Sequence, residues 1–167
     1  MTKDVIQVKI RGILPVNNGE AVFLGNDQKV FVIQIERTMG EIIKMFIQSK
    51  AKQRPLTHDL MAHCFQGFGI TVDRVIITEL KGTTYYARMI LQQRNELGRK
   101  IVELDARPSD CLALATAQRR PIFVSSDLFN EVEDMRHILD EIKKSSNDDA
   151  TTWCPEKLTK SQDPSTS

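Results

Sequence analysis

Cysteine is scarce and scattered in this chain. There are three, Cys64, Cys111 and Cys154, with no CxxC pair among them. Neither a disulfide framework nor a zinc knuckle follows from that spacing, and a reducing, cytoplasmic setting is the expectation. Aromatic residues make up only 6%, with a single tryptophan, too few for an extended base-stacking platform once core filling is served. No apolar run approaches the roughly 20 residues of a membrane-spanning helix. The opening MTKDVIQVKI lacks the basic stretch and uninterrupted apolar stretch of a secretory leader, so no membrane role is expected. GxxxxGK[ST], GxGxxG and GxSxG are all missing, which leaves P-loop, dinucleotide and serine-hydrolase chemistry without an anchor.

What is present is ordinary in bulk. The 167 residues are 41% apolar and 27% charged, which fits one globular domain. The net charge of +1 hides an asymmetry: residues 1–124 hold 18 Lys+Arg against 12 Asp+Glu, and residues 125–167 hold 5 against 10. A basic body with an acidic end suits a polyanionic partner, and equally an ordinary solvated surface.

Periodicity divides the chain into elements. Ile6, Val8 and Ile10 alternate with polar residues, and 21–24 and 29–35 flank the turn-rich tetrad Gly25–Gln28, so a strand and a hairpin are predicted. Thr38-Met-Gly-Glu41 has capping-box form before Met39, Ile42, Ile43, Phe46 and Ile47, which predicts a helix to about Lys50. Pro55 breaks it, and Thr57 reads as the N-cap of a second helix ending near Gly67 or Gly69. Strands at 72–79, 84–92 and 100–104 form a predicted antiparallel meander. Pro108 suits the first position of a third, buried helix with Asp110 in its first turn. A short strand at 121–124 closes the body. Leu128, Val132, Met135, Leu139 and Ile142 then predict a single outer helix with Ser126 as cap, its narrow seam packing on the body or on a partner helix. The expected architecture is α+β, a mostly antiparallel sheet with three to four packed helices. The domain is expected over 1–130, the rest of the outer helix over 131–144 and a flexible tail over 145–167.

Two polar segments sit where helices begin, Arg54-Pro-Leu-Thr-His-Asp59 and Asp105-Ala-Arg-Pro-Ser-Asp110. Exposed N–H groups at a helix start bind phosphate oxygens, and arginine clamps them bidentately. Neighbouring carboxylates chelate hard divalent cations, which activate water against a phosphodiester. Each residue has a plainer reading beside this one. Thr57 serves as a cap, Asp59 and Asp110 are favoured by the helix dipole, and Arg–Asp pairing locks two helix starts together. Histidine is the side chain whose unperturbed imidazole titrates near neutrality, which makes His58 the best acid–base candidate. His63, five positions on, lies about 140° round the helix, so the two do not form an i, i+4 zinc pair. Cys111 in an apolar helix reads as packing, not as a nucleophile.

The same two segments carry a family resemblance. Arg54-Pro-Leu-Thr-His-Asp-Leu60, Val75-Ile-Ile-Thr78 with Tyr86-Ala-Arg88, Leu104-Asp-Ala-Arg-Pro-Ser-Asp110, Leu112-Ala-Leu-Ala115 and Pro121-Ile-Phe-Val124 resemble the bifunctional nuclease (BFN) domain, over approximately residues 4–130. The resemblance implies an α+β fold and DNase and RNase activity. By motif membership it places Arg54, Thr57, His58, Asp59, Asp105, Arg107, Ser109 and Asp110 at one shared site, and their side-chain chemistry then suggests the roles: His58, Asp59, Asp105 and Asp110 catalytic, and Arg54, Thr57, Arg107 and Ser109 holding substrate. Asp59, Asp105 and Asp110 are then the candidate ligands for Mg2+ or Mn2+, and DNA or RNA is the expected partner. Two other classes stay open: a non-catalytic binding or regulatory module whose polar cluster is a structural ion-pair network or small-ligand pocket, and a homo-oligomer built on free strand edges or the outer-helix seam.

Overall fold

The computed structural model describes residues 4–145. Its elements are, in chain order, β1 (Val5–Val16), β2 (Gly19–Gly25), β3 (Val30–Ile35), α1 (Arg37–Ile47), α2 (Thr57–Gly67), β4 (Ile70–Lys81), β5 (Thr84–Asn95), β6 (Gly98–Ala106), α3 (Pro108–Ala117), β7 (Ile122–Ser125), α4 (Ser126–Glu131) and α5 (Arg136–Ser145). The fold is α+β with a mostly antiparallel sheet, as the periodicity predicts. The expected tail beyond Ser145 lies outside the described residues.

One seven-stranded sheet runs in the order β3-β2-β1-β7-β4-β5-β6. The predicted hairpin and meander form its two wings. β7 slots between them, antiparallel to β1 and parallel to β4. β1 is longer than the alternation suggests: Val5 to Val8 pair with β7 and Lys9 to Val16 with β2, with a bulge between Ile10 and Gly12.

α1 and α3 pack side by side on the sheet. Cys111 to Ala115 are all fully buried, so α3 forms the centre of the core with Ile43 of α1 and Val72, Val75 and Ile77 of β4. Burial pushes the Cys111 thiol up to about 12, which confirms it as inert packing. Gly40 lets α1 approach β2, because a Cβ there would lie 2.3 Å from Glu20 Cγ. Beneath it Lys44 Nζ reaches Glu20 Oε1 at 3.0 Å inside the protein.

Three caps shift by a residue or two from the sequence reading. The N-cap of α1 is Glu36, not Thr38. Leu56 caps α2 and Thr57 is its first helical residue, with Asp59 at the third position accepting the Leu56 N–H at 2.8 Å. Ser125, not Ser126, caps α4, its Oγ accepting from Leu128 N–H at 3.3 Å. Pro108 does open α3.

The single outer helix is corrected to two. Val132 is extended, with φ −68° and ψ 147°. The cause is β3: Lys29 Nζ donates to the carbonyls of Phe129, Asn130 and Val132, the Val30 N–H donates to Asp134, and the Met135 N–H returns to the Val30 carbonyl. Helix and sheet edge compete for the same backbone groups, and the edge wins between 132 and 135. The seam then closes on the protein's own body, where Leu139, Met135, Ile138 and Ile142 cover Leu14, Phe23 and Val30 on the outer face of β1–β3.

Candidate functional site

The two polar segments meet. His58, in the first turn of α2, is buried, and its Nε2 lies 3.0 Å from Oδ1 of Asp110 in the first turn of α3. Arg107, the residue before Pro108, closes on the same carboxylate, with Nε to Oδ2 at 2.8 Å and Nη2 to Oδ1 at 3.4 Å. Its Nη1 is 3.8 Å from Oε1 of Glu36, the α1 N-cap. Three helix N-termini therefore converge, and their dipoles favour an anion there. The Arg107 side chain is 62% exposed, so it still faces solvent.

Burial alone would raise the Asp110 carboxyl. Hydrogen bonds from Arg107 and His58 outweigh that and hold it below the ordinary 3.8. An ionised Asp110 only accepts, so His58 Nε2 carries the shared proton. The other ring nitrogen, Nδ1, is buried with no hydrogen-bond partner. The nitrogen left to exchange a proton with substrate is thus closed off in this conformation, and the visible work of His58 is to position Asp110 and, through it, Arg107.

Asp59 faces elsewhere. Lys52 Nζ lies 2.8 Å from both of its oxygens. Burial would raise this carboxyl too, and the Lys52 and Leu56 hydrogen bonds hold it down. The Lys52 ammonium also sits 3.7 Å from the centroid of the Phe46 ring. Asp59 and Arg54 line a recess of about 270 Å³ that includes neither His58 nor Asp110.

Asp105 is the penultimate residue of β6, two positions before Arg107. It is exposed, opposite Arg88 in the β5 ladder, and Arg88 bonds Glu103 at 2.6 Å instead. Among the described residues Asp105 has no ion-pair partner. Thr57 is exposed and Ser109 buried in the first turns of their helices.

Seven of the eight expected residues fall into two groups, and Thr57, exposed at the start of α2, joins neither. His58, Asp110 and Arg107 are directly joined, with Asp105 and Ser109 on the same stretch of chain. Asp59 and Arg54 belong to the recess beside Lys52. Among the described residues no three His, Cys, Asp or Glu side chains gather where a metal ion would sit. Asp59, Asp105 and Asp110 do not form one ligand set, because two of them are already held by cations and N–H groups.

Lys52 and Glu36 were invisible to the sequence reading. Lys52 reaches Asp59 around the Pro55 turn, and Glu36 reaches Arg107 across the fold. Neither pairing leaves a periodic signal.

The model of the bifunctional nuclease domain matches residues 22–136, more than half of the chain. Two curated Mycobacterium tuberculosis proteins, "Uncharacterized protein MT1877" of strain CDC 1551 / Oshkosh and "Uncharacterized protein Rv1829" of strain H37Rv, are each 30% identical to it over 99 residues. That match covers 59% of this chain and 56% of each relative, so the chain spans about half the length of the curated relatives it matches.

Proposed function

The chain belongs to the bifunctional nuclease domain family, and on that premise we propose that it hydrolyses phosphodiester bonds of DNA or RNA where α2 and α3 begin. One observation carries the reading. The two motif segments join through His58, Asp110 and Arg107, and the joint leaves a guanidinium and an unpaired carboxylate, Asp105, facing solvent two residues apart. Arg107 and the N–H groups of the converging helix starts hold the phosphate. Asp105 orients the attacking water; were Mg2+ or Mn2+ bound, the Asp105 carboxylate would hold it and the ion would make that water more acidic. His58 and Asp110 position Arg107. Arg54 and Asp59 line the separate recess beside Lys52, and with Thr57 at the start of α2 they are assigned to the neighbouring nucleotide.

No helix among the described residues is long and apolar enough to cross a membrane, and the reading places the activity in the cytoplasm. Self-association belongs to the same reading. β6 is a free sheet edge with Ile101 57% exposed, the kind of strand that pairs with another copy.

A second reading has its own support. Asp59 and Asp110 are already saturated by Lys52, Arg107 and N–H donors, as in a non-catalytic module held by ion pairs.

Cleavage of labelled single-stranded DNA and RNA with and without Mg2+ or Mn2+ separates the two. Arg107→Ala and Asp105→Asn are expected to lose about 10²-fold or more in rate; Asp105→Asn keeps a thermal midpoint near that of the wild type because its side chain is exposed and unpaired, whereas Arg107→Ala also takes two hydrogen bonds from Asp110 and is expected to cost about 1–3 kcal/mol. Wild-type rates in both variants would remove the site. A clean wild-type preparation inert with either metal would leave the non-catalytic reading.

A further inference from the structure

We propose that a single strand of nucleic acid lies along a basic belt formed by the C-terminal ends of α1 and α3 and the flank of α2, away from the His58–Asp110 joint. This rests on the nuclease reading: the strand lies along the belt and reaches the joint at one end only, where Asp59 of the third recess is followed back along α2 by His58.

Three recesses make up the belt. The largest, about 560 Å³, lies between β1 and the ends of α1 and α3, and Lys9, Arg119 and Arg120 line it over a floor that includes Ile10, Phe46 and Ile122. The second, about 430 Å³, lies between α2 and the start of β4, and the third is the 270 Å³ recess of Lys50, Lys52 and Arg54. They are continuous: Arg120 lines the first and second, His63 lines the second and third, and Ser49 of the first precedes Lys50 of the third. Six Lys or Arg side chains line the belt against one acid, Asp59. Lys9, Lys50, Arg54, Arg119 and Arg120 have no ion-pair partner among the described residues. Elsewhere on the surface Arg11, Arg74, Lys81, Arg88 and Arg136 are each paired with an acid.

The backbone presents these cations by one device used twice. α1 ends with Ser49 N–H to the Phe46 carbonyl and Lys50 N–H to the Met45 carbonyl; α3 ends with Arg119 N–H to Thr116 and Arg120 N–H to Ala115. Both are Schellman caps, whose left-handed residue is ordinarily glycine. Here it is Ser49 at φ 50° and Arg119 at φ 52°. An arginine is kept where glycine would fit without steric cost, and both caps open into the same recess.

The shape selects the strand. Concave troughs with a basic rim and a partly apolar floor let a flexible backbone follow the cations while bases turn inward, the pattern of sequence-tolerant single-strand binding. A rigid duplex would meet only the rim.

The test is binding of a fluorescein-labelled 20-nucleotide single strand, as DNA and as RNA, by the full chain in EDTA, with anisotropy read across a salt series. Arg119→Ala/Arg120→Ala is expected to bind about tenfold or more weaker, and the slope of log K against log salt should fall by about 1.4, or 0.7 per lost phosphate contact. Lys81→Ala/Lys144→Ala removes the same charge away from the belt and is expected to bind like the wild type. Equal losses in both double variants, no loss in the belt variant, no binding by the wild type, or duplex binding as tight as single-strand binding would each overturn the belt. Wild-type binding through the belt with no cleavage under any metal would instead end the nuclease reading and leave the belt standing.

Discussion

At the scale of single residues, the joint between the two motifs turns on who holds a proton. Asp110 stays ionised because Arg107 and His58 offset the cost of its burial, so the pair stabilises the fold above the ordinary carboxylate value of 3.8 and loses that effect as pH falls through the lower folded value. Asp110→Asn should therefore be less stable than the wild type at pH 7, with the gap closing below about pH 4 when unfolding midpoints are compared across pH. His58→Ala removes one donor from a half-buried carboxylate and is expected to cost about 1–3 kcal/mol, read by denaturant unfolding. A gap that persists unchanged at pH 3 would mean that charge on Asp110 is not what the joint uses. The candidate residues themselves were legible because both motifs pair a proline break with a carboxylate in the first helical turn. Their pairing was not. His58 and Asp110 are 52 positions apart, and nothing in the spacing says that His58 reaches Asp110 while its neighbour Asp59 turns to Lys52.

Among the elements, the legible ones are those whose pattern is set locally: the 3.6-residue stripe of α1, the buried run of α3, the alternation in β1 and the meander. The outer helix failed for a non-local reason. Its seam continues through Val132 and Met135, but the edge of β3 lies alongside and takes the backbone instead. Asp134 is the clamp. It accepts the Val30 N–H at 3.1 Å and the Arg136 Nε at 2.7 Å, and the Arg136 hydrogen bond above all lowers its carboxyl to about 2. Asp134→Ala is expected to loosen the 132–135 crossing and free α5, exposing the apolar face of Leu14 and Phe23. Faster amide exchange confined to Val30 and α5, with α3 unchanged, is the signature. If exchange at α5 matches the wild type, the seam alone holds it. The clamp should weaken only in strong acid, between the unfolded value near 3.8 and the folded value near 2.

Over the whole molecule, the sheet is two separate wings joined by one short strand. β3-β2-β1 and β4-β5-β6 are each continuous in sequence and readable as such, whereas β7 arrives from residues 122–125 to pair with β1 on one side and β4 on the other. A four-residue apolar run tells the reader that a strand exists and not where it inserts, since both faces of a central strand are buried and no alternation marks a partner. Yet this insertion is what fixes the site. It sets the wing bearing α1 against the wing that ends in β6 and α3, and so brings Glu36 and Arg107 to within 3.8 Å. Ending the chain at Arg120 should therefore leave two wings without a common sheet, seen as loss of a single cooperative unfolding transition. Ending it at Glu133 keeps β7 and α4 and removes the Asp134 clamp, α5 and the residues after it, so a cooperative transition at lower denaturant is expected. If the chain ending at Arg120 still unfolds in one sharp step, α1 packing on α3 joins the wings without the strand between them, and the geometry of the site owes less to β7 than its central place suggests.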